Sequence, residues 1–378
     1  MRIGIDATAL PPRPVGAGNY IIHLIRALAE VNDRYELVVF AHPGGRELIA
    51  VPESERFRWA VIPGRNPALR LLWEQTALPR LAGSTRLDLL HSLHYTRPWR
   101  LPCLSVVTLH DMTFFLYPQL HTRSKRVFFP LAIRASARTA DAFITVSEST
   151  RRDSMRLLGV PAEKIFATQL GVDPAFRPVQ DPVLRAEVRQ KYNLPERFIL
   201  YVGLVEPRKN LPGLIQAYRS AVEQGITHRL VVVGRFGWRY RQVLEKIETL
   251  GLQGQVQFTG YIPQQDLPIV YNLASLFVYP TLYEGFGLPA LEAMACGTPV
   301  VTSDIASLPE IVGEAGILVP PGDQQALSQA LHTALTDQAL QNRLATKGPE
   351  RASQFTWERT ARQTLQVYQH VFEIRAWA

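Results

Sequence analysis

Apolar positions along the chain fall into two successive alternations of short apolar runs and amphipathic stretches. "RIGID" (2–6) reads as a buried strand, "PPRPVGAGN" (11–19) as a proline- and glycine-rich loop, and "YIIHLIRALAEV" (20–31) has apolar residues at helical spacing. "YELVVFA" (35–41) is the next strand. Strand, glycine loop, helix and strand make the opening unit of a parallel sheet. "LDLLHSLHY", "LSVVTLHD" and "DAFITVSES" continue it, each an apolar run ending in polar residues. Strand C-terminal ends line the ligand crevice of open parallel sheets, which nominates His91, His94, His110, Asp111 and Ser147 by position.

The proline-rich "LGVDPAFRPVQDPVLRAEV" (170–188) breaks this pattern and reads as a linker. A second alternation follows it. "RFILYVG", "HRLVVVG", "QVQFTG", "LFVYP" and "TPVVTSD" are its strands, and "LPGLIQAYRSAVEQ", "YRQVLEKIETLG" and the short "DLPIVYNLAS" its helices. The tail "FTWERTARQTLQVYQHVFEI" reads as a long closing helix. The expected fold class is α/β, with two Rossmann-like parallel-sheet lobes facing each other across a cleft. The expected lobes are 1–175 and 176–355, with a helix over 356–378 packing back across them.

A chain of 378 residues is long enough for two such cores, and 47% hydrophobic with 20% charged residues is ordinary for them. The formal net charge of +8 is uneven: residues 1–175 contain 22 Lys and Arg against 15 Asp and Glu, the remainder 19 against 18. No acid lies between Met112 and Ala140, where Arg123, Lys125, Arg126, Arg134 and Arg138 surround the apolar "VFFPLAI". Such a segment, residues 123–138, suits peripheral contact with an anionic membrane surface or an anionic acceptor; the alternative is a solvated helix face with one buried stripe. Zinc spacing, an RNA-binding signature and a long basic arm are missing, so nucleic acid is not an expected partner. Cys103 and Cys296 lie far apart in apolar segments, which argues against a disulfide framework or a metal site and fits a reducing compartment. The opening lacks a signal-peptide pattern and no apolar run reaches the ~20 residues of a membrane span. A cytoplasmic protein, in contact at most with the inner face of a membrane, is expected.

Three stretches carry candidate chemistry. In "YVGLVEPRKNL" (201–211), Arg208 and Lys209 follow a strand end, where two cations suit a diphosphate; surface salt bridging is the alternative. In "VGAGN", Gly16 and Gly18 at the first strand-to-helix turn let a backbone approach a phosphate, or merely form a tight turn. The loop is a poor nicotinamide fingerprint, because no later acid is placed to hold an adenosine ribose. In "YEGFGLPALEAMACGTPVV" (283–301), Glu284 and Glu292 flank a glycine loop that opens a helix, with Pro289 in its first turn and Gly297 at its stop. An acid at a helix N-terminus can be an electrostatic cap. A carboxylate against a diphosphate would be repelled, so in a nucleotide site these two would accept from hydroxyls on different rings.

"EGFGLPALEAMACGTPVV", with "EPRKN" before it and "TGYIP" between, resembles the nucleotide-sugar-dependent, retaining glycosyltransferases of family 4, which have the GT-B fold. The resemblance spans nearly the whole chain. It implies that Glu292 holds the nucleotide ribose, and that Glu284 holds hydroxyls of the transferred sugar beside backbone groups of Gly285, Phe286, Gly287 and Leu288. It implies Lys209, with Arg208 beside it, at the diphosphate, Gly16 near the phosphates, His110 near the donor sugar, and the backbone of Tyr261 and Ile262 at the base. The family often has an arginine just after the glycine of the preceding strand; here Gly203 is followed by Leu204. The implied chemistry needs no metal or other cofactor, the leaving phosphate taking the acceptor proton. "GIDATAL", "TVSESTRRD" and "VEPRKN" look most like bacterial mannosyltransferase-type members that build surface polysaccharides, which makes GDP-mannose the expected donor and a glycan or lipid-linked glycan the expected acceptor. The other readings are a GT-B sugar-nucleotide epimerase and a non-catalytic sugar-nucleotide-binding scaffold.

Overall fold

The computed structural model describes residues 1–63 and 67–377. It divides into two compact units, Met1–Gly171 together with Thr356–Ala378, and Val172–Phe355.

Among the described residues, the first unit holds a parallel sheet of β1 (Arg2–Asp6), β2 (Glu36–Ala41), β3 (Phe57–Val61), β4 (Leu89–Ser92), β5 (Leu104–Leu109), β6 (Ala142–Thr145) and β7 (Ile165–Ala167), in the order β3-β2-β1-β4-β5-β6-β7. The strands read from apolar runs are the interior ones. β4, β5 and β6 are buried along their whole length, as expected for a sheet covered on both faces. β3 and β7 form the edges; the first is half exposed and the second three residues long, so neither gives a continuous apolar run. The helix Ala17–Val31 turns Tyr20, Ile21, Leu24, Ile25 and Leu28 inward. The closing helix, Trp357–Trp377, packs within this unit: Thr360 Oγ1 donates to Gln169 O at 2.7 Å, and a side chain at Gly171 would meet Trp357 N at 2.1 Å.

The basic segment forms the helix Arg123–Thr139 with Pro130 inside it. Phe129 packs on the cluster of Tyr95, Val107, Leu109, Phe114 and Phe143, whereas Val127, Phe128 and Leu131 remain open to water. The two adjacent phenylalanines therefore do different jobs.

The second unit is a parallel sheet of β8 (Phe198–Val202), β9 (Arg229–Val233), β10 (Val256–Gly260), β11 (Leu276–Tyr279), β12 (Val300–Ser303) and β13 (Ile317–Val319), ordered β10-β9-β8-β11-β12-β13. Numbered within the unit this is 3-2-1-4-5-6, the dinucleotide-fold order, which reverses direction between β8 and β11. The expected linker is only partly irregular, because Pro182–Lys191 is helical. Asp181 caps it by accepting from Val183 N and Leu184 N at 2.9 and 3.2 Å, and Pro182 takes the first turn, where a missing N–H costs nothing.

Candidate active site

The point where the second sheet reverses gathers the charged residues. After β8 the chain makes a single turn, Pro207–Lys209, closed by Asn210 in the left-handed region (φ 53°) before the helix Leu211–Glu223 begins. After β11 it runs through Thr281 to Glu284. The two loops are stitched together at Arg208 O, which accepts from Leu282 N at 2.8 Å and from Thr281 Oγ1 at 3.0 Å.

Donors from both loops converge on one atom, Glu284 Oε1. Arg208 Nη1 lies 2.9 Å from it and Lys209 Nζ 2.5 Å, with the Tyr279 and Thr281 hydroxyls at 3.0 Å each. Lys209 also donates to the Tyr279 hydroxyl, so Tyr279 relays between cation and carboxylate. Arg208 divides its fork, its Nη2 reaching Glu206 Oε1 at 3.0 Å. Burial by itself would push the Glu284 carboxyl up; Arg208 and Lys209 outweigh it and hold the group at about 2. Lys209 is lowered by burial and by Arg208, with Glu284 opposing. The result is an ionised carboxylate clamped against two cations, with Glu206 as second counter-charge. Surface salt bridging is thereby excluded for this pair: Lys209 and Glu284 are each only 8% exposed.

The helix that follows, Leu288–Ala295, starts at Gly287, whose φ of 106° and 2.7 Å approach to Leu308 Cδ2 leave no place for a side chain. Pro289 lies in its first turn. The Phe286 side chain is buried, and Ser307 Oγ holds the loop backbone from behind, 2.7 Å from Phe286 O and 3.0 Å from Glu284 O. Glu292, one turn into the helix, is not a simple cap. It is buried, accepts from the Tyr271 hydroxyl at 2.9 Å, and burial raises its carboxyl to about 7, with Asp173 adding to the effect. Gly285 and Leu288 flank Phe286 and Gly287 in the same loop, while Tyr261 and Ile262 follow β10 two strands away from β8, the first exposed and the second buried. Among the described residues, no group of three or more His, Cys, Asp or Glu side chains gathers as a metal-binding set.

In the first unit the strand-end residues separate. His91 is wholly buried, bridging the Tyr368 hydroxyl (2.6 Å) and Thr108 Oγ1 (2.8 Å), which in turn meets Tyr20 OH at 3.0 Å. Asp111 accepts from Thr113 N and Oγ1, starting a short helix, and Ser147 caps the helix Glu148–Leu158 through Thr150 N. These three serve the fold. His110 and His94 remain at the strand ends, half buried among rings: His110 lies edge-on to Tyr20 at 5.0 Å and its Nε2 is 2.8 Å from Leu93 O. Burial lowers both imidazoles, His94 to about 3, so they are neutral near pH 7. Gly16 caps the helix Ala17–Val31 with φ 52° and open space around it, whereas Gly18 is packed against Pro14 of its own loop.

Glu206, Tyr271, Tyr279 and Thr281 join the site although they stand outside the residues that the sequence nominates. Tyr279 and Thr281 carry the same signal that nominated the histidines, a polar group at or just past the C-terminal end of a buried strand.

Two family models tile the chain: Glycosyltransferase Family 4 matches residues 14–176, and Glycosyl transferases group 1 matches residues 185–351. O-antigen chain mannosyltransferase B of Escherichia coli is 33% identical over 367 residues, covering 93% of this chain and 95% of that protein. The chain belongs to the family 4 glycosyltransferases. A second relative of this glycosyltransferase, the serotype-specific mannosyltransferase WbdA of Escherichia coli, is 31% identical over 283 residues, 73% of this chain but only 34% of that protein. Among solved structures, sucrose-phosphate synthase from Thermosynechococcus elongatus matches with a TM-score of 0.78 at 26% identity, covering 99% of each chain. Anabaena HepE, solved with UDP and glucose, matches with a TM-score of 0.76 at 20% identity, covering 98% of this chain and 99% of that one, a likeness of fold. With the two Rossmann-like parallel sheets, these likenesses put the glycosyltransferase in the GT-B class.

Proposed function

We propose that this glycosyltransferase moves a hexose, mannose in the first instance, from a nucleotide diphosphate sugar, GDP-mannose, to a glycan or lipid-linked glycan in surface polysaccharide synthesis, with retention of configuration and without a metal. The observation that carries the reading is the buried clamp at the sheet reversal. Its two cations, at a strand end, suit the charge of a diphosphate, and its carboxylate is ionised and able to accept from sugar hydroxyls. The bacterial mannosyltransferases at 31–33% identity support the choice of sugar and the polysaccharide setting.

In the proposed reaction the bond from the sugar anomeric carbon to the phosphate oxygen breaks while the acceptor oxygen forms its bond on the same face, and the acceptor proton passes to the departing phosphate. Arg208 and Lys209 offset the charge developing on that phosphate, the role a metal plays elsewhere. Glu284, through its second oxygen, orients the hexose, and Glu292 accepts from the ribose hydroxyls.

The helix Arg123–Thr139 supports peripheral contact with an anionic membrane from the cytoplasmic side. Val127 and Leu131, one turn apart, are 64% and 62% exposed, with Arg123, Lys125, Arg126, Arg134 and Arg138 exposed around them. Among the described residues no helix is long and apolar enough to cross a membrane.

Thermal melting with GDP, UDP, ADP, CMP and TDP, each with and without Mg²⁺, tests the donor reading. GDP should raise the melting temperature independently of Mg²⁺, by about 2.7 kcal/mol of stabilisation at a hundred times its Kd, and Glu292→Ala should abolish the rise. No stabilisation by any of the five, or one unaffected by Glu292→Ala, overturns it.

A further inference from the structure

The segment just past β4, residues 93–96, is held under strain. Tyr95 has φ 49°, a region that a bulky side chain rarely enters, and Thr96 N donates to His94 O at 2.5 Å across it. A bond from residue i to i+2 about a positive-φ centre is the strained form of the γ-turn. Such a turn persists only where its surroundings over-determine it, and here they do. Tyr95 N donates to Thr108 O at 2.9 Å, His110 Nε2 lies 2.8 Å from Leu93 O, and Thr96 Oγ1 donates to the buried Glu74 Oε2 at 2.8 Å. Gln75, next to Glu74 on the helix Pro67–Ser84, fastens the backbone that follows, donating to Arg97 O and accepting from Trp99 N, both at 3.0 Å.

What the strained turn presents is His94. The three strand-end histidines of this unit differ in how their nitrogens are used. His91 has both engaged, by Tyr368 and Thr108, and His110 spends Nε2 on Leu93 O. His94 is half buried, 5.7 Å from the His110 ring, and its Nδ1 is enclosed with no hydrogen-bond partner among the described residues. The same strand ends hold two more unmet groups: Ser92 Oγ, whose residue is the register partner of Asp6, and Thr8 Oγ1, two residues past Asp6. Enclosed polar atoms are almost always paired in a fold that needs nothing further of them. Burial lowers the His94 imidazole to about 3, with His110, Arg70 and Lys125 adding to the effect, so the ring is neutral. A neutral imidazole carries one donor and one acceptor, which suits a hydroxyl rather than an anion.

We propose that this end of the first sheet is the acceptor subsite and that His94 holds the sugar hydroxyl that attacks. The inference rests on the reading of the chain as a hexosyltransferase to a glycan, and it names a residue for the substrate that the Arg208–Lys209–Glu284 clamp leaves unaddressed. In that reaction the hydroxyl proton passes to the departing phosphate, so His94 takes no proton. Its ring N–H donates to one lone pair of the hydroxyl oxygen, the O–H stays turned towards the phosphate, and the other lone pair forms the new bond. The Tyr95 turn and its ties to Glu74, Thr108 and His110 fix the ring for that contact, as preorganisation of a reacting group requires.

Steady-state transfer from GDP-mannose to mannose-terminated oligosaccharides, each substrate varied in turn, tests this on the full chain. His94→Phe keeps the bulk of the ring and removes both nitrogens. It should raise the acceptor KM about 2- to 13-fold, the range for one neutral hydrogen bond, with the GDP-mannose KM unchanged and the melting temperature no lower than wild type. His94→Gln, which keeps an N–H donor, should recover most of the loss. An unchanged acceptor KM in His94→Phe, equal rises in both KM values, or no recovery in His94→Gln would overturn the subsite and leave the donor site standing. In the wild-type protein the His94 ring ¹⁵N resonances should move when the oligosaccharide is added while those of His91 stay fixed; this readout needs no variant to fold, and unmoved His94 resonances would overturn the assignment. Absence of transfer by the wild-type protein to any of these acceptors would overturn the proposed reaction and the subsite together.

Discussion

Neutralising Glu284 exposes how the clamp is held together. In the native protein its carboxyl is lowered from an ordinary 4.5 to about 2, and the residue is 8% exposed. A depression of that size corresponds to about 3 kcal/mol of preference for the ionised form, in the range measured when one partner of a buried ion pair is removed. Glu284→Gln keeps the volume and removes the charge, leaving Arg208 and Lys209 side by side with Glu206 as the remaining acid of the cluster. We expect it to destabilise the second unit by about 3 kcal/mol at pH 7. Because the native value is depressed, the stabilisation is complete above 4.5 and is lost as pH falls from 4.5 towards 2, so the gap between variant and wild type should close across that window. Native-state amide exchange of β11 gives the opening free energy of this unit separately from the other, which a single melting curve of a two-unit chain does not. The cycle with Lys209→Met adds a second check: the double variant should be more stable than the sum of the single effects, by roughly 1–3 kcal/mol. Exchange in Glu284→Gln within about 0.5 kcal/mol of wild type at pH 7, or strict additivity with Lys209→Met, would refute the clamp.

Other perturbations follow from the same geometry. Glu292 is raised to about 7, so its contribution runs the opposite way, being full below 4.5 and lost as pH rises through 7; Glu292→Gln should remove about 3 kcal/mol of that pH dependence from exchange in Leu288–Ala295, and an unchanged profile would contradict the burial of an ionisable carboxyl there. Gly287→Ala combines a disallowed φ with a contact of 2.7 Å and should destabilise the second unit by at least ~1–3 kcal/mol; a neutral effect would mean that the glycine loop is free to rearrange. Val127→Asp with Leu131→Asp should abolish co-sedimentation with anionic vesicles and leave the melting temperature unchanged, since both side chains face water; equal binding by variant and wild type would remove the membrane contact.

The sequence was most legible where burial is two-sided. β4, β5, β6 and β11 are enclosed on both faces and appear as mostly apolar runs with polar residues at or near their ends, while β3 and β7 at the edges of the first sheet do not, because an edge strand needs few buried positions. The helix Pro182–Lys191 was hidden by a hydrophilic composition with one buried residue, Val188, although Asp181 followed by Pro182 is a helix-start signal present in the sequence. At the site, the chemical types of Arg208, Lys209, Glu284 and Glu292 were readable, but their mutual pairing was not. Position past a strand end cannot tell a group that faces a ligand from one that caps a helix, which is why Ser147 and Asp111 were nominated together with His110. Nor can it reveal that Glu284 is engaged by both cations, because the loops after β8 and β11 are 75 residues apart in sequence and become neighbours only through the reversed strand order.

The decisive experiment is the reaction itself, followed by ¹H NMR with GDP-mannose, mannose-terminated oligosaccharides and EDTA. Wild-type protein should form the α-mannoside, retaining the donor configuration, and Lys209→Met should slow that reaction about 10²- to 10³-fold, the loss expected when one charge-stabilising donor is removed. A β-linked product, a requirement for divalent metal, or transfer by Lys209→Met at the wild-type rate would contradict the assignment of this clamp as the place where the sugar leaves its phosphate.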